Sequence, residues 1–249
     1  MRTTVRNVAL VIAILAIVIA IALFIMLINR SNQLPTSTPN SPTEANSTPS
    51  LMPLALTPTV GPQLLHADFE QSGAIIGRLY DGDWSTKVVD GNGLLVVSSA
   101  PNGGPGNLPS IDFGSGAWTD YVTNFRFKVT ECNPTGFFGC MVIITFRNEP
   151  EQAYVLEINA KSGEVRLEFG GRGGWIAINK GITDRYLDLS QGTWHDVLLT
   201  ANRDVISASI DGKEAIAVTD DRLKSGAIAF IVGASTTAEF DDLNIWSIP

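Results

Sequence analysis

The groups best suited to acid–base catalysis in this chain are a histidine and several carboxylates on strand-like segments. His195 lies between Trp194 and Asp196 in the run TWHDVLLTA. Alternation along a strand would place His195 on the same face as Val197 and Leu199, where a histidine is packed rather than reactive. A nucleophilic triad also requires a Ser or Cys on a sharp turn, and the sequence contains no G-x-S-x-G motif. We therefore predict a structural role for His195.

Glycoside hydrolysis is a second chemistry open to this sequence, and it requires two carboxyl groups about 5–9 Å apart. Glu239 and Asp241 are two positions apart in EFDDLN, so a strand would present both on one face. Glu157, in the run YVLEIN, is a further carboxylate at a strand position. If the protein is an enzyme, these three residues are the expected catalytic carboxylates.

Acidic residues near both ends of the folded region form a candidate metal site. Calcium is held by several oxygen ligands. Asp68, Glu70, Asp241 and Asp242 would supply four carboxylates if the first and last strands meet, and they are the predicted calcium ligands. The alternative is that they are solvent-facing charges at a sheet edge, where they discourage aggregation.

The segment GGRGGWIAINKGITDRY combines flexible backbone with aromatic and charged side chains. Sugar-binding surfaces use aromatic rings to stack on pyranose faces and polar groups to bond hydroxyls. Trp175, Arg172 and Tyr186 are therefore the predicted ligand contacts. Trp175 also begins a strand-like run, so a place in the core is the alternative. The glycines do not form a phosphate-binding loop, because no Lys-Ser/Thr pair follows them.

The two cysteines, Cys132 and Cys140, enclose the turn-rich loop CNPTGFFGC between two strand-like runs. A disulfide across such a hairpin is predicted, and closing so short a loop contributes about 2.5 kcal/mol on the chain-entropy model. Metal binding is the competing interpretation. It is disfavoured because the chain has no other cysteine, and His66 and His195 are remote in sequence.

The elements that would position these residues are short β-strands. After Gln63 the sequence shows no helical period, and strand-length runs recur between turns rich in Gly, Asn and Asp. This spacing predicts an all-β domain built as a two-sheet sandwich or barrel. The runs are LLHADFE, WSTKVVD, GLLVVSS, YVTNFRFKVTE, CMVIITFR, AYVLEIN, EVRLEF, WIAINK, TWHDVLLTANR, VISASID, EAIAVT, GAIAFIVG and AEFDDLNIW.

Alternation within two of these segments predicts which faces are buried. In TNFRFKVT the phenylalanines and valine face one way and polar residues face the other. YVLEINAKSGEVRLEF is predicted to be a hairpin turned at residues 161–163, with Glu157, Arg166 and Glu168 at polar positions. One sheet thus presents a polar face of mixed charge, which is either a solvated outer surface or a shallow ligand-binding surface.

The order of these elements resembles that of the concanavalin A-like lectin/glucanase superfamily, in its laminin-G-like and 3-keto-disaccharide hydrolase-like branches. The resemblance covers residues 64–248 and implies a jelly-roll sandwich of two antiparallel sheets. It implies no activity, because this fold is used by lectins, adhesion modules and hydrolases alike. The matching segments are HADFE, WTDYVTNFRFKV, the hairpin above, GTWHDVLLTANRDVISASIDGKEAI and SGAIAFIVGASTTAEFDDLNIW.

The chain departs from the enzymes of that superfamily. Laminarinase-type members carry their carboxylates as E-x-D-x-x-E on one mid-chain strand. Here the match lies on the last strand, and Asn244 stands at the position of the acid/base carboxylate. The near-match at Glu157 lacks the central aspartate. These departures favour a binding or adhesion module. The alternatives are a sugar-active hydrolase of the 3-keto-disaccharide hydrolase type and a non-catalytic protein-interaction ectodomain.

The N-terminal segment predicts a membrane protein. Residues 8–28 carry no charge and are nearly all apolar, and a helix of this length spans about 30 Å, the thickness of the hydrocarbon core of a bilayer. The run is longer than the apolar core of a cleavable signal peptide. Arg2 and Arg6 precede it and only Arg30 closely follows, so the positive-inside rule places the N-terminus in the cytoplasm and the rest outside.

The sequence thus divides into three regions. Residues 1–30 form the cytoplasmic N-terminus and transmembrane signal anchor, residues 31–62 form a Pro/Ser/Thr-rich disordered stalk, and residues 63–249 form the jelly-roll domain. The chain carries a net charge of −8. Its first 62 residues contain three arginines and one glutamate, so the domain carries −10, which argues against binding nucleic acid. We predict a single-pass surface module that binds glycan, cell-wall polysaccharide or another surface protein.

Overall fold

The computed structural model describes residues 59–70, 77–101, 104, 107–171, 174–178 and 187–249. The predicted anchor at residues 8–28 and most of the predicted stalk lie outside the described residues, and both stay predictions. In the described ranges, no helix has the length and hydropathy needed to cross a membrane. These ranges all belong to one compact unit, Leu56–Pro249.

The described chain folds into β-strands joined by turns, as the sequence predicts. The strands are β1 (Gln63–Ala67), β2 (Arg78–Tyr80), β3 (Asp83–Val89), β4 (Asn92–Ser98), β5 (Ser110–Phe113), β6 (Tyr121–Cys132), β7 (Met141–Asn148), β8 (Gln152–Asn159), β9 (Val165–Gly171), β10 (Gly174–Ala177), β11 (His195–Asn202), β12 (Val205–Ile210), β13 (Lys213–Thr219), β14 (Ala227–Val232) and β15 (Thr236–Ser247). Strands such as β6, β11 and β12 alternate between buried and more exposed positions, the pattern of a half-buried pleated strand, whereas β7 and β8 are buried on both faces except at their ends.

These strands form two antiparallel sheets. Sheet A has the order β13-β12-β11-β6-β15-β4-β3, and β1 pairs with the half of β15 that β4 leaves open. Sheet B has the order β10-β9-β8-β7-β14-β5-β2. The chain passes repeatedly from one sheet to the other, for example from β6 to β7 and from β14 to β15. The two-sheet antiparallel sandwich predicted from the sequence is confirmed for the described residues.

The core lies between the sheets and is built from the inward-facing residues of both. On β6, Phe125, Phe127 and Val129 are buried, and the polar residues between them face outward, as alternation predicts. Phe230 of β14 packs against Phe125 with 4.6 Å between ring centroids and against Phe240 of β15 with 4.8 Å. These aromatic contacts join strands of opposite sheets and hold the sheets face to face.

The hairpin of β11 and β12 contains His195. The imidazole is buried against Phe127, and its Nδ1 lies 2.8 Å from Oδ2 of Asp211. Oδ1 of the same carboxylate accepts the backbone N–H of Asp196 at 2.9 Å. Asp211 and Gly212 both have positive φ, as a tight hairpin turn requires. The ring is enclosed between the core and the turn, which confirms the packed position that alternation predicts for His195.

Candidate ligand-binding groove

A groove on the outer face of sheet B is the best candidate for a binding site in the described residues. It consists of two adjoining cavities of about 300 and 340 Å³, at the lower end of the range of small-ligand sites. Both are lined by Thr145, Trp175 and Ile231, so they form one depression, which we call the sheet B groove. The larger, which we call the apolar cavity, is also lined by Leu108, Phe137, Phe138, Ile143, Val155 and Glu157.

Strand pairing sets the floor of this groove. Ile231, Ile143 and Glu157 lie side by side on β14, β7 and β8, and Thr145 and Val155 lie side by side in the next outward-facing row. Successive outward-facing rows are about 7 Å apart along a strand. Ile143 and Val155 are buried in a small apolar cluster separate from the main core. The floor is therefore apolar, with one hydroxyl and one carboxyl set into it.

Trp175 lies over the groove from the edge strand β10. It pairs with Gly170 of β9, and its side chain is 51% exposed. A Cβ on Gly170 would lie 2.9 Å from Cε3 of the indole and 2.1 Å from the carbonyl oxygen of Gly174. Only glycine at position 170 therefore lets the strand and the ring lie this close. Trp175 is a surface residue at the groove, and the alternative of a core tryptophan is wrong.

The loop between β6 and β7 forms one wall of the groove. A disulfide joins Cys132 to Cys140, whose Cα atoms are 4.9 Å apart, and the predicted pairing is confirmed. Phe137 and Phe138 lie inside the loop that it closes, with 4.4 Å between ring centroids. The backbone of the loop is fastened to the end of β14, where the N–H of Ala234 donates to the carbonyl of Phe137 at 2.9 Å. The disulfide therefore anchors the two aromatic rings that line the apolar cavity.

Two polar side chains in the floor have no protein partner in the described ranges. Thr145 is 7% exposed, and no described group bonds its Oγ1. Glu157 is 5% exposed, and no described residue donates a hydrogen bond to its carboxyl. Its pKa is raised to about 7, chiefly by burial and then by the charge of Glu168, whereas Arg166 opposes the shift. A buried polar group without a partner costs about 1–3 kcal/mol, so a ligand that bonds these groups would recover part of that free energy.

The outer face of sheet B differs from the predicted polar surface of mixed charge. Arg166 is exposed, as the sequence predicts. Glu157 is buried although its position faces outward, because it lies at the bottom of a cavity walled by Phe137 and Trp175. Of the two interpretations of this face, a solvated surface or a ligand-binding surface, the geometry favours the second.

The other predicted catalytic carboxylates lie on the opposite side of the sandwich. Glu239 and Asp241 share one face of β15, as predicted, but this is the outer face of sheet A, so neither is brought together with Glu157 of sheet B. Nζ of Lys128 lies 2.5 Å from the Glu239 carboxylate, and Arg126 is ion-paired with Asp241. Each carboxylate thus has a cationic neighbour, and the pair is not poised in an open cleft.

The outer face of sheet A also carries a tryptophan and a cavity. Trp194 lies against the guanidinium of Arg126 at 4.9 Å and the ammonium of Lys128 at 4.8 Å, measured to its ring centroid. A cavity of about 470 Å³ on the same face is lined by Arg126 and largely by other polar and charged residues. Because the charges pair with one another and the indole is occupied by two cations, this face is a weaker candidate than the sheet B groove.

Each of the four predicted calcium ligands contacts a donor of the protein. Asp68 follows the end of β1, and Glu70 accepts the N–H of Gly93 at 3.1 Å. Oδ2 of Asp242 lies 3.0 Å from Nε of Arg126. In the part of the chain that the structure describes, no three His, Cys, Asp or Glu side chains converge to hold a metal ion. This geometry lends no support to calcium binding, which stays a prediction.

Of the three predicted ligand contacts, Trp175 alone is described, whereas Arg172 and Tyr186 lie outside the described residues. Thr145 and the two phenylalanines of the disulfide loop were not predicted. The phenylalanines carry a usable signal, because adjacent aromatic residues in a turn-rich loop are apolar where polar residues are expected. Thr145 carries none, since threonine is common in strands.

Solved structures resemble this fold, although no family profile and no curated protein matches the sequence. The chain is similar to the carbohydrate-binding module CBM66 from Bacillus subtilis, with a TM-score of 0.55 at 16% identity over 71% of this chain and 99% of that one. A Bacillus subtilis protein of unknown function with a galectin-like fold gives 0.54 at 13% identity, over 76% and 98%. Domain 4 of an extracellular arabinanase from Geobacillus stearothermophilus, in complex with arabinotriose, gives 0.51 at 13%, over 76% and 94%.

At these identities the likeness establishes the fold alone. The laminin-G-like and 3-keto-disaccharide hydrolase-like branches stay predictions. The described domain shares a jelly-roll sandwich fold with these structures, and the resemblance to the concanavalin A-like superfamily stays a prediction from the sequence.

Proposed function

We propose that the protein is a glycan-binding module presented outside the cell on an N-terminal membrane anchor. The observation that carries this proposal is the sheet B groove, in which a half-exposed tryptophan lies over an apolar floor that contains the hydroxyl of Thr145, which no described group bonds, and the buried carboxyl of Glu157. A pyranose ring offers an apolar C–H face to Trp175 and hydroxyls to Thr145 and Glu157. Apolar lining with a few placed polar groups is the usual composition of a small-ligand site.

Two of the similar structures support the ligand class. One is named as a carbohydrate-binding module, and another contains arabinotriose. Because one fold can serve many functions, the proposal depends on the residues of the groove rather than on these neighbours.

The cellular placement is part of the same proposal. Residues 8–28 would anchor the chain and residues 31–62 would hold the domain away from the bilayer. The disulfide between Cys132 and Cys140 supports export, because such bonds persist in oxidising compartments.

A glycan array tests the proposal, using the full chain in detergent micelles. We expect hits with the wild type and at least a ten-fold loss of affinity in Trp175→Ala. Leu198→Ala is the matched control, because Leu198 is 43% exposed on the outer face of sheet A. An array without hits, or equal losses in the two variants, would remove the basis of the proposal.

A sugar-active hydrolase, as in the 3-keto-disaccharide hydrolase type, is the second candidate, and one observation favours it. The pKa of Glu157 is raised to about 7, as a general acid requires, and Glu168 is its diagonal neighbour on β9. Oligosaccharides that bind would be incubated with wild type and Glu157→Gln. Turnover that disappears in the variant supports an enzyme, and binding without turnover supports the module.

A further inference from the structure

The composition of the apolar cavity restricts the kind of sugar that it fits, if the proposed function is correct. Seven of the nine described residues that line it are apolar, and Thr145 and Glu157 are the two polar ones. A simple hexose carries a hydroxyl on most of its ring carbons. Several of these hydroxyls would lose their water against apolar side chains without gaining a partner, which is unfavourable. The cavity therefore suits a ligand group that is partly apolar and has few polar atoms.

The two polar groups form one complementary pair. Thr145 offers a buried O–H that no described group accepts, and Glu157 offers carboxyl oxygens to which no described group donates. Thr145 pairs with Val155, and Ile143 pairs with Glu157, so the two polar residues are diagonal neighbours on β7 and β8. Diagonal positions of this kind are about 7–8 Å apart, with aliphatic side chains beside them.

The described charges around the groove would repel an anionic sugar. No described lysine or arginine lines either cavity, whereas Asp112 and Glu149 line the smaller one and Glu157 lines the larger. An amino sugar is also a poor match, although it would be attracted by acidic residues. Its ammonium group would lose its water in a cavity where seven of the nine described lining residues are apolar, which is unfavourable.

We propose that the apolar cavity binds the acetamido group of an N-acetylated hexosamine within a glycan. The acetyl methyl packs against Ile143 and Val155. The amide N–H donates to the carboxyl of Glu157, and the amide carbonyl accepts the Oγ1–H of Thr145. The pyranose ring lies against Trp175. The acetamido group thus supplies a methyl for the apolar side chains, a donor for the carboxyl and an acceptor for the hydroxyl.

Three β-1,4-linked trisaccharides test this inference, because they differ only in the substituent on C2 of each sugar ring. Chitotriose carries acetamido groups, chitosan triose carries amino groups that are partly protonated at pH 7, and cellotriose carries hydroxyls. Binding to the full chain in detergent micelles would be measured by isothermal titration calorimetry at pH 7. We expect chitotriose to bind at least ten-fold more tightly than either of the others. Equal affinities, or tightest binding of chitosan triose, would overturn the assignment.

Thr145→Val tests the hydrogen bond, since valine keeps the shape of threonine and removes its hydroxyl. We expect about a five-fold loss of chitotriose affinity, the effect of one net hydrogen bond, with cellotriose affinity unchanged. Thr200→Val, on the outer face of sheet A, is the matched control and should change neither. If Thr145→Val lowers the affinities for chitotriose and cellotriose equally, the acetamido contact is contradicted. Calorimetric unfolding of each variant establishes that it is folded.

Failure of this inference is separable from failure of the proposed function. If the array gives hits that depend on Trp175 but contain no N-acetylated sugar, the acetamido assignment is wrong and glycan binding stands. If hits occur but none depends on Trp175, the sheet B groove and the acetamido assignment are both wrong, and if the array gives no hits, glycan binding is wrong as well.

Discussion

Glu157 should make the stability of the domain depend on pH, and Glu157→Gln should abolish this contribution. Its pKa is raised from 4.5 to about 7, first by burial in the floor of the groove and then by the charge of Glu168. A carboxyl whose pKa is higher in the folded state binds more protons when folded. Its contribution to the free energy of unfolding is therefore complete below pH 4.5 and is lost as the pH rises through 7.

The magnitude follows from the size of the shift. One unit of pKa corresponds to about 1.4 kcal/mol, so the change from 4.5 to about 7 amounts to about 3 kcal/mol. Glutamine keeps the size of the side chain but cannot ionise. We expect Glu157→Gln and wild type to be similar near pH 4.5, and we expect the variant to be about 3 kcal/mol more stable than wild type at pH 8.5.

Urea denaturation between pH 4.5 and 8.5 measures this difference, with the full chain in detergent micelles. Glu131→Gln is the matched control, because Glu131 is an exposed residue of the same type at the end of β6. The difference between variant and wild type should grow with pH for Glu157 and stay flat for Glu131. Parallel curves for all three proteins would refute the burial of the Glu157 carboxyl and with it the described floor of the groove.

Three further substitutions should distinguish residues that shape the groove, which affect glycan binding, from residues that affect stability alone. Gly170→Ala would place a Cβ 2.9 Å from the Trp175 indole, so we expect weaker glycan binding in titration and a melting temperature lowered by a few degrees. Replacing Cys132 and Cys140 together by serine should cost about 2.5 kcal/mol in urea denaturation and should also weaken binding, because the loop wall is released. Asp211→Ala should destabilise the domain by about 1–3 kcal/mol, since it removes two hydrogen bonds at a turn, while affinity for glycan is unchanged. EDTA should leave the melting temperature unchanged, and a fall on its addition would support the calcium prediction.

Periodicity was sufficient to predict most of the strands. Each of the strand-like runs identified in the sequence contains or overlaps a strand. Alternating apolar residues all lie on one face of a strand, so a strand is the conformation that buries them together. β2 and β5 were missed, since they have three and four residues and lie among Gly and Pro turns, where no period can be established. The disulfide and the hairpin turn at Asp211 were predicted from local spacing alone.

The groove could be predicted only in pieces. Trp175 and Glu157 were identified separately, on different chemical grounds. They line the same cavity because β8, β9 and β10 pair and because the β6–β7 loop forms its wall. These contacts are non-local and are not visible in the sequence. The burial of Glu157 has the same origin, since its own strand presents it outward. Thr145 could not be identified from the sequence, because its hydroxyl stands out only through the absence of a bond from any described group.

Fluorine NMR of the full chain labelled with 5-fluorotryptophan tests the central claim most directly, because each of the five tryptophans gives its own resonance. The resonance of Trp175 would be assigned with Trp175→Phe and that of Trp194 with Trp194→Phe. Titration with a glycan that binds on the array should shift the Trp175 resonance and leave that of Trp194 in place. A shift of the Trp194 resonance with Trp175 unmoved would place the ligand on sheet A and contradict the sheet B groove as the binding site.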